Sequence, residues 1–143
     1  MSEGHIKKKL ENSVKEGIAV MRPYDMLVQM FSQQETFMNL LKEKRGFPDF
    51  PVDLTSKVGQ KLLKNISYEC ADELHEARQH LKQKDHRISD MGDIDRAEYT
   101  EELVDALHYF FEIVIASGIS VDELFEAYIK KGEINTDRIT GDY

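Results

Sequence analysis

Apolar side chains recur at every third or fourth position through most of this sequence, and no segment alternates apolar and polar residues over the length of a strand. A period of three to four residues places side chains on one face of an α-helix, whereas a half-buried strand requires a period of two. The pattern therefore predicts an all-α fold in which amphipathic helices pack their apolar faces together. The length of 143 residues suits one domain, so we expect a single domain over residues 1–143.

Proline, glycine and capping residues divide the apolar pattern into a predicted bundle of four or five helices. The predicted helices cover residues 1–22, 25–45, about 53–82, a segment that starts at Asp93 or Asp95 and runs up to Gly118, and residues 121–131. Gly46 is predicted to end the second helix, and Ser120 with Glu123 to form a capping box at the start of the last. The third of these segments is either one helix or two helices with a break near Asn65. The polar segment at residues 84–95 has no sustained period and is predicted to be a loop. Residues 132–143 are predicted to form an irregular tail.

The net charge restricts the partners that the chain can bind. Nineteen Lys and Arg residues against 27 Asp and Glu residues give a net charge of −8, which opposes binding to DNA and to anionic membranes. No apolar stretch reaches the ~20 residues of a membrane span, so we expect no nucleic-acid partner, no membrane partner and a cytoplasmic location. The single cysteine, Cys70, excludes an internal disulfide and a thiolate zinc site.

Two segments concentrate acidic side chains at helical spacing. In the first segment the acids are Glu69, Asp72, Glu73 and Glu76. In the second segment they are Glu98, Glu101, Glu102 and Asp105. Carboxylates three or four residues apart repel each other and destabilise a helix unless a cation neutralises them. Carboxylate pairs on two adjacent helices also suit Mg²⁺ with water and substrate phosphates, so these segments predict a divalent-metal site, with a solvated charged face as the alternative.

A carboxylate-x-x-His pattern also occurs twice, with His75 after Asp72 and His108 after Asp105. Di-iron bundles use Glu-x-x-His from two helices and a single Glu from each of two others. Both motif acids here are Asp, and the first two predicted helices place no acid clearly within an apolar face. The pattern therefore favours a polar, hydrogen-bonded role for His108 over a di-iron site.

The acidic segments resemble the motifs of a known enzyme superfamily. Residues 71–76 (ADELHE) and 101–111 (EELVDALHYFF) resemble the E-x-x-E and E-x-x-D motifs of the all-α nucleotide pyrophosphatases, the MazG-like and dimeric dUTPase superfamily. Residues 30–34 (MFSQQ) resemble the N-terminal motif of its dimeric dUTPase and phage dCTPase/dUTPase branch. The K-x3-N-x2-R-x4-Y spacing of that branch is matched by Lys131, Asn135, Arg138 and Tyr143. The resemblance covers residues 25 to 143.

The resemblance implies hydrolysis of dUTP, dCTP or both to the monophosphate and pyrophosphate, with Mg²⁺, or Mn²⁺ as an alternative, as the cofactor. By motif position the metal-binding and catalytic residues would be Glu73, Glu76, Glu102 and Asp105. One of these carboxylates would also orient the attacking water. Glu69 and Asp72 form an alternative first pair, because a shift of four residues also gives acid-x-x-acid.

The resemblance also implies substrate-binding residues outside the acidic segments. Gln34 would contact the base, Lys131 and Arg138 the phosphates, and Asn135 the nucleoside, with Lys82 and Tyr143 completing the set. It further implies a homodimer, and the spacing of the C-terminal motif suggests a phage or bacterial source, which for a phage protein means the host cytoplasm.

The sequence departs from the branch at two points. Lys82, Lys84 and Arg87 stand where the branch has Trp-Lys-x-Trp-Lys, and the chain has no Trp. Met38 stands where an Asn often follows the base-reading Gln. These departures keep open a MazG-like pyrophosphatase acting on a purine or modified nucleotide, and a helical interaction module without catalysis.

Overall fold

The computed structural model describes residues 25–141, which form four α-helices and no strand. The helices are α1 (Met26–Arg45), α2 (Lys57–Gln79), α3 (Arg96–Ala116) and α4 (Val121–Thr140). The all-α prediction is confirmed for this part of the chain. The helix predicted over residues 1–22 lies outside the described residues, as does Tyr143.

Local capping signals set most of the helix ends. The side chains of Ser56, Asp95 and Ser120 each accept a hydrogen bond from the backbone N–H three residues later, at the starts of α2, α3 and α4. Such caps satisfy N–H groups that have no partner within the helix. α1 ends at Gly46, whose φ of 72° is left-handed and whose N–H donates to the carbonyl of Leu41. The predicted stop at Gly46 and the predicted cap at Ser120 are confirmed.

The last helix continues past its predicted end at Lys131 and reaches Thr140. The prediction of an irregular tail over residues 132–143 is therefore wrong for residues 132–140. Gly132 suggests a stop in the sequence, but a glycine inside a helix costs only about 1 kcal/mol relative to alanine. The residue that ends α4 is instead Gly141, with a left-handed φ of 81°.

Residues 48–119 form one compact unit, built on α2 and α3. Contacts between α2 and α3 pair later residues of α2 with earlier residues of α3. The Sγ of Cys70 donates to the carbonyl of Ala106 at 3.3 Å, and the ring of His80 lies 6.4 Å from that of Tyr99. The two helices therefore form an antiparallel hairpin. Its buried apolar side chains are Ile66, Ala77, Ala106, Phe111, Val114, Ile115 and Ala116.

The segment before α2 packs against the end of α3 within the same unit. The N–H of Val52 donates to the carbonyl of Ala116 at 2.8 Å, and the side chain of Asp53 accepts from both the N–H and the hydroxyl of Thr55. Gly59 is buried in the first turn of α2, and a Cβ there would collide with the carbonyl of Asp53. Because of this turn, α2 starts at Lys57 and not at about residue 53 as predicted. It then continues without a break.

Residues 25–47 and 120–141 belong to a second unit, which contains α1 and α4. In α1 the side chains of Phe31, Gln34 and Met38 are buried, and Met38 has no exposed surface. α4 has no buried residue along its length. Within residues 25–141 no single helix is both long and apolar enough to cross a membrane. Only α3 and α4 taken together reach that length and composition among these residues.

Candidate metal centre

Three glutamates of the α2–α3 hairpin converge on one point. One carboxylate oxygen from each of Glu73, Glu76 and Glu102 lies within 4.8 Å of the other two. Oxygen ligands on opposite sides of a divalent cation are about 4 to 5 Å apart, given metal–oxygen distances of about 2.0–2.6 Å. These three residues, called the glutamate cluster below, are therefore spaced to hold such an ion. Glu76 is exposed and the other two are half-buried, so the cluster opens to solvent.

The sequence produces this convergence through helix periodicity and small interface residues. Glu73 and Glu76 are three residues apart, so they share a face of α2. Ala77 and Ala106 are buried, and the Sγ of Cys70 reaches the backbone of α3. Small side chains at these positions let the two helices approach closely, because interhelical distance depends on the residues at the contact. The close approach brings the carboxylates of opposite helices together.

The glutamate cluster is electrostatically strained in the absence of a cation. Loss of hydration, followed by the negative charges of Glu76 and Asp105, raises the pKa of Glu73. Loss of hydration and the charge of Glu76 likewise raise the pKa of Glu102, while His80 acts in the opposite direction. The carboxyl group of Glu76 thus contributes to the raised pKa of both partners. Like charges held this close favour binding of a positive ion.

The register of the hairpin distinguishes between the two candidate acid pairs on α2. Asp105 is half-buried beside the glutamate cluster, and its charge contributes to the raised pKa of both Glu73 and Glu102. Asp72 is exposed and belongs to no such group among residues 25–141. Glu69 acts electrostatically on a different part of α3. The structure therefore groups Glu73 and Glu76 with Glu102.

Three of the predicted substrate-binding residues share one face of α4. Lys131, Asn135 and Arg138 are exposed at relative positions 0, 4 and 7 of a continuous helix, so they form a single stripe. Gln34, in the same unit, is buried in α1 with 5% of its surface exposed. Lys82 follows α2, and its Nζ donates to the carbonyl of Gln79 at 2.7 Å.

The histidines of the carboxylate-x-x-His pattern are not gathered into a metal site in the described part of the chain. The ring nitrogens of His75 lie 2.8 Å from Arg78 and 2.9 Å from Gln79, both on its own helix. His108 is exposed. The geometry therefore gives no support to a di-iron arrangement.

Two residues near the acids carry features that the motif patterns do not reveal. The Nε2 of His80 lies 4.0 Å from the Oε1 of Glu102. The sequence signal for His80 is its position four residues after Glu76. Glu112 is buried, with 6% of its surface exposed. Its sequence signal is a single acid inside the apolar run at residues 109–116.

Comparisons with protein-family models, with curated proteins and with solved structures found no match to this chain. The function therefore has to follow from the residues themselves. The glutamate cluster offers carboxylate oxygens only, a donor set that suits Mg²⁺ and Mn²⁺ and is unsuited to soft metals such as Cu(I). The residues fit the cofactor that the motifs imply.

Proposed function

We propose that this chain is a Mg²⁺-dependent nucleoside triphosphate pyrophosphohydrolase of the MazG-like and dimeric dUTPase type, acting on dUTP, dCTP or both. The supporting observation is the convergence of Glu73, Glu76 and Glu102 from two helices. These are three of the four residues that the resemblance assigns to the metal. The fourth, Asp105, is near enough to perturb two members of the cluster.

The acids of the hairpin have two tasks in the proposed reaction. Glu73, Glu76, Glu102 and Asp105 hold the metal, which neutralises phosphate charge and acidifies water when it is bound. A carboxylate of the cluster accepts the proton of the attacking water and orients its oxygen toward phosphorus. Cleavage of the α–β phosphoanhydride bond releases the monophosphate and pyrophosphate.

Cationic side chains balance the negative charge of the nucleotide. A protein with a net charge of −8 repels a polyphosphate, so local positive charge is required. We assign this role to Lys131 and Arg138 on the exposed stripe of α4, with Asn135 contacting the nucleoside and Lys82 adding charge after α2. The side-chain amide of Gln34 offers both a donor and an acceptor, which suits the hydrogen-bonding edge of a base.

One observation favours a second substrate class. Met38 stands where an Asn often follows the base-reading Gln in the branch, and Met38 is fully buried with no exposed surface. A buried thioether offers no strong hydrogen bond to a pyrimidine edge, and a missing partner weakens discrimination between bases. A MazG-like pyrophosphatase acting on a purine or a modified nucleotide is therefore the second candidate.

The proposed assembly is a homodimer. Large apolar side chains of the second unit are exposed, including Phe37 at 51%, Phe125 at 55% and Tyr128 at 75%. Apolar surface of this kind is often covered by a partner subunit. A dimer would cover it with a second copy of the same helices.

The deciding experiment is incubation of the purified chain with each common dNTP and NTP, in Mg²⁺ and in EDTA, with separation of pyrophosphate from phosphate. We expect Mg²⁺-dependent release of monophosphate and pyrophosphate, with the preferred base distinguishing the two candidates. The Glu76→Gln variant should lose this activity, whereas Glu101→Gln, which removes an exposed acid outside the cluster, should keep it. Absence of hydrolysis with every nucleotide would overturn the proposal.

A further inference from the structure

One histidine reaches across the α2–α3 hairpin to the glutamate cluster. His80 follows the last residue of α2, and its Nε2 lies 4.0 Å from the Oε1 of Glu102 on α3. Both side chains are half-buried. The imidazole is therefore placed beside the carboxylate that α3 contributes to the cluster.

Two further contacts hold the ring of His80 in this position. Its backbone N–H donates to the carbonyl of Ala77 at 3.1 Å, at the end of α2. Its ring centroid lies 6.4 Å from that of Tyr99, with 60° between the ring planes, which is an ordinary geometry for a pair of aromatic rings. Tyr99 precedes Glu102 by three residues, so the two side chains share a face of α3. The helix end and Tyr99 together fix the imidazole next to Glu102.

The hairpin segments that carry the cluster supply no other cationic side chain. Residues 69–77 and 97–112 contain neither lysine nor arginine. Carboxylates that bind a metal are ordinarily held by hydrogen-bond donors that do not themselves touch the ion, and these donors fix the direction of the carboxylate. An imidazole N–H is such a donor, and it needs no positive charge to act as one. His80 therefore has the chemistry and the location of a supporting donor.

The distance between the two groups is short enough for a small movement to close. At 4.0 Å the pair is about 1 Å beyond the length of an N–H···O hydrogen bond. Rotation about the side-chain bonds of Glu102 supplies a movement of this size without any shift of the helices. The hydrogen bond forms when the carboxylate turns toward the imidazole.

We propose that His80 is the positioning residue for Glu102: its Nε2–H donates to one carboxylate oxygen and leaves the other oxygen to bind the divalent cation. The inference rests on the proposed function, because it concerns the same ion. His80 itself touches neither the cation nor the nucleotide. Loss of a donor of this kind lowers metal affinity by about 10–100-fold.

The test is Mn²⁺ binding to the full chain in the absence of nucleotide, with free Mn²⁺ measured by electron paramagnetic resonance. We expect His80→Ala to bind Mn²⁺ about 10–100-fold more weakly than the wild type. His80→Gln, whose amide N–H reaches the position of Nε2, should restore most of the affinity. His75→Ala is the matched control and should bind Mn²⁺ like the wild type, because the ring of His75 contacts only Arg78 and Gln79 of its own helix among the hydrogen-bond partners in residues 25–141.

The metal-free Tm of the same variants separates positioning from packing. If His80 only packs against Tyr99, His80→Ala lowers the Tm and leaves the Mn²⁺ affinity unchanged, and this result would overturn the proposal. Tighter Mn²⁺ binding by His80→Ala would also overturn it, because His80 would then compete with the ion for Glu102. Tyr99→Phe keeps the ring and should keep the affinity, whereas Tyr99→Ala should weaken Mn²⁺ binding by less than His80→Ala does.

Hydrolysis assays make the failure of this proposal distinguishable from failure of the proposed function. In His80→Ala the Mg²⁺ concentration that gives half-maximal hydrolysis should rise, and kcat in saturating Mg²⁺ should stay nearly unchanged. Hydrolysis by the wild type with the same Mn²⁺ affinity in His80→Ala would overturn the role of His80 and leave the proposed function in place. Weaker Mn²⁺ binding by His80→Ala in a chain that hydrolyses no nucleotide would support the role of His80 and overturn the proposed function.

Discussion

The acids of the α2–α3 hairpin and the predicted phosphate-binding residues of α4 lie in contrasting surroundings, each within its own unit. In the hairpin the acids adjoin a packed interface, where buried Ala77 and Ala106 hold the helices together and three carboxylates meet within 4.8 Å. In α4 no residue is buried, and the predicted phosphate-binding residues share a face only because the helix repeats every 3.6 residues. Tertiary packing thus brings the three glutamates together, whereas helical periodicity alone aligns the cationic side chains of α4. Changes in the hairpin should remove chemistry, and changes on α4 should weaken binding.

The largest expected effect is that of Glu102→Gln. Removing this charge leaves the glutamate cluster with two of its three carboxylates, so kcat should fall by about 10³-fold, equivalent to about 4 kcal/mol. The measurement is steady-state hydrolysis of the preferred nucleotide in saturating Mg²⁺. Glu101→Gln, the adjacent exposed acid, should retain wild-type kcat. Comparable losses in both variants would show that general acidity, rather than the cluster, supports the reaction.

Met38→Ala in α1 and Ile139→Ala in α4 together test whether these two helices, which belong to one unit, differ in packing. Met38 is 0% exposed, and truncating a buried methionine should lower the free energy of unfolding by about 3 kcal/mol. Ile139 of α4 is 89% exposed, and Ile139→Ala should change the free energy of unfolding by less than about 0.5 kcal/mol. Urea denaturation of both variants measures the difference. Equal losses would mean that α4 is packed in solution, for example by a second copy of the chain.

The sequence predicts helix ends well where a residue has a dedicated backbone role. Ser120 caps α4, Asp95 caps α3, and Gly46 takes the left-handed conformation that ends α1. Gly132 leads to a wrong predicted helix end. It adopts a helical conformation, and its surroundings are open, so no local contact shows that the helix continues through it. The true end at Gly141 depends on which of two glycines adopts positive φ. Sequence pattern alone does not decide that.

For the candidate site, the sequence predicts the acids but leaves their register open. Both Glu69 with Asp72 and Glu73 with Glu76 satisfy acid-x-x-acid on the same helix. Only the antiparallel packing of α2 on α3 determines that the second pair faces Glu102. A motif search also misses the burial of Glu112, because a single acid in an apolar run does not show whether packing covers it.

Removal of metal should make the stability of the hairpin depend on pH. The pKa values of Glu73, Glu102 and Glu112 are raised, so the folded state keeps protons that the unfolded chain has already released. Stability of the metal-free protein therefore falls as the pH rises above the ordinary glutamate value of about 4.3, and the loss is complete above the raised values. Mg²⁺ at about 100 times its Kd should restore about 2.7 kcal/mol near neutral pH.

The measurement for this prediction is Tm against pH with and without Mg²⁺. Other carboxyl groups also titrate in this range, so Glu102→Gln serves as the control. Its metal-free Tm should fall less between about pH 5 and pH 7 than that of the wild type, because one repelling charge is absent. A Mg²⁺-induced rise in Tm that is the same at pH 4.5 and at pH 7 would contradict a carboxylate metal site.

The smallest effect is expected on α4, where Lys131→Ala should raise KM for the nucleotide about tenfold and leave kcat nearly unchanged. An exposed cation that contacts phosphate contributes about 1.5 kcal/mol, and it does so equally in the ground state and the transition state. Lys130→Ala is the matched control, because Lys130 is also exposed but lies about 100° around the helix from the stripe. If both variants raise KM equally, net charge rather than the stripe attracts the nucleotide. If only Lys131→Ala does, periodicity alone is sufficient to align a phosphate-binding face on a helix that has no buried residue.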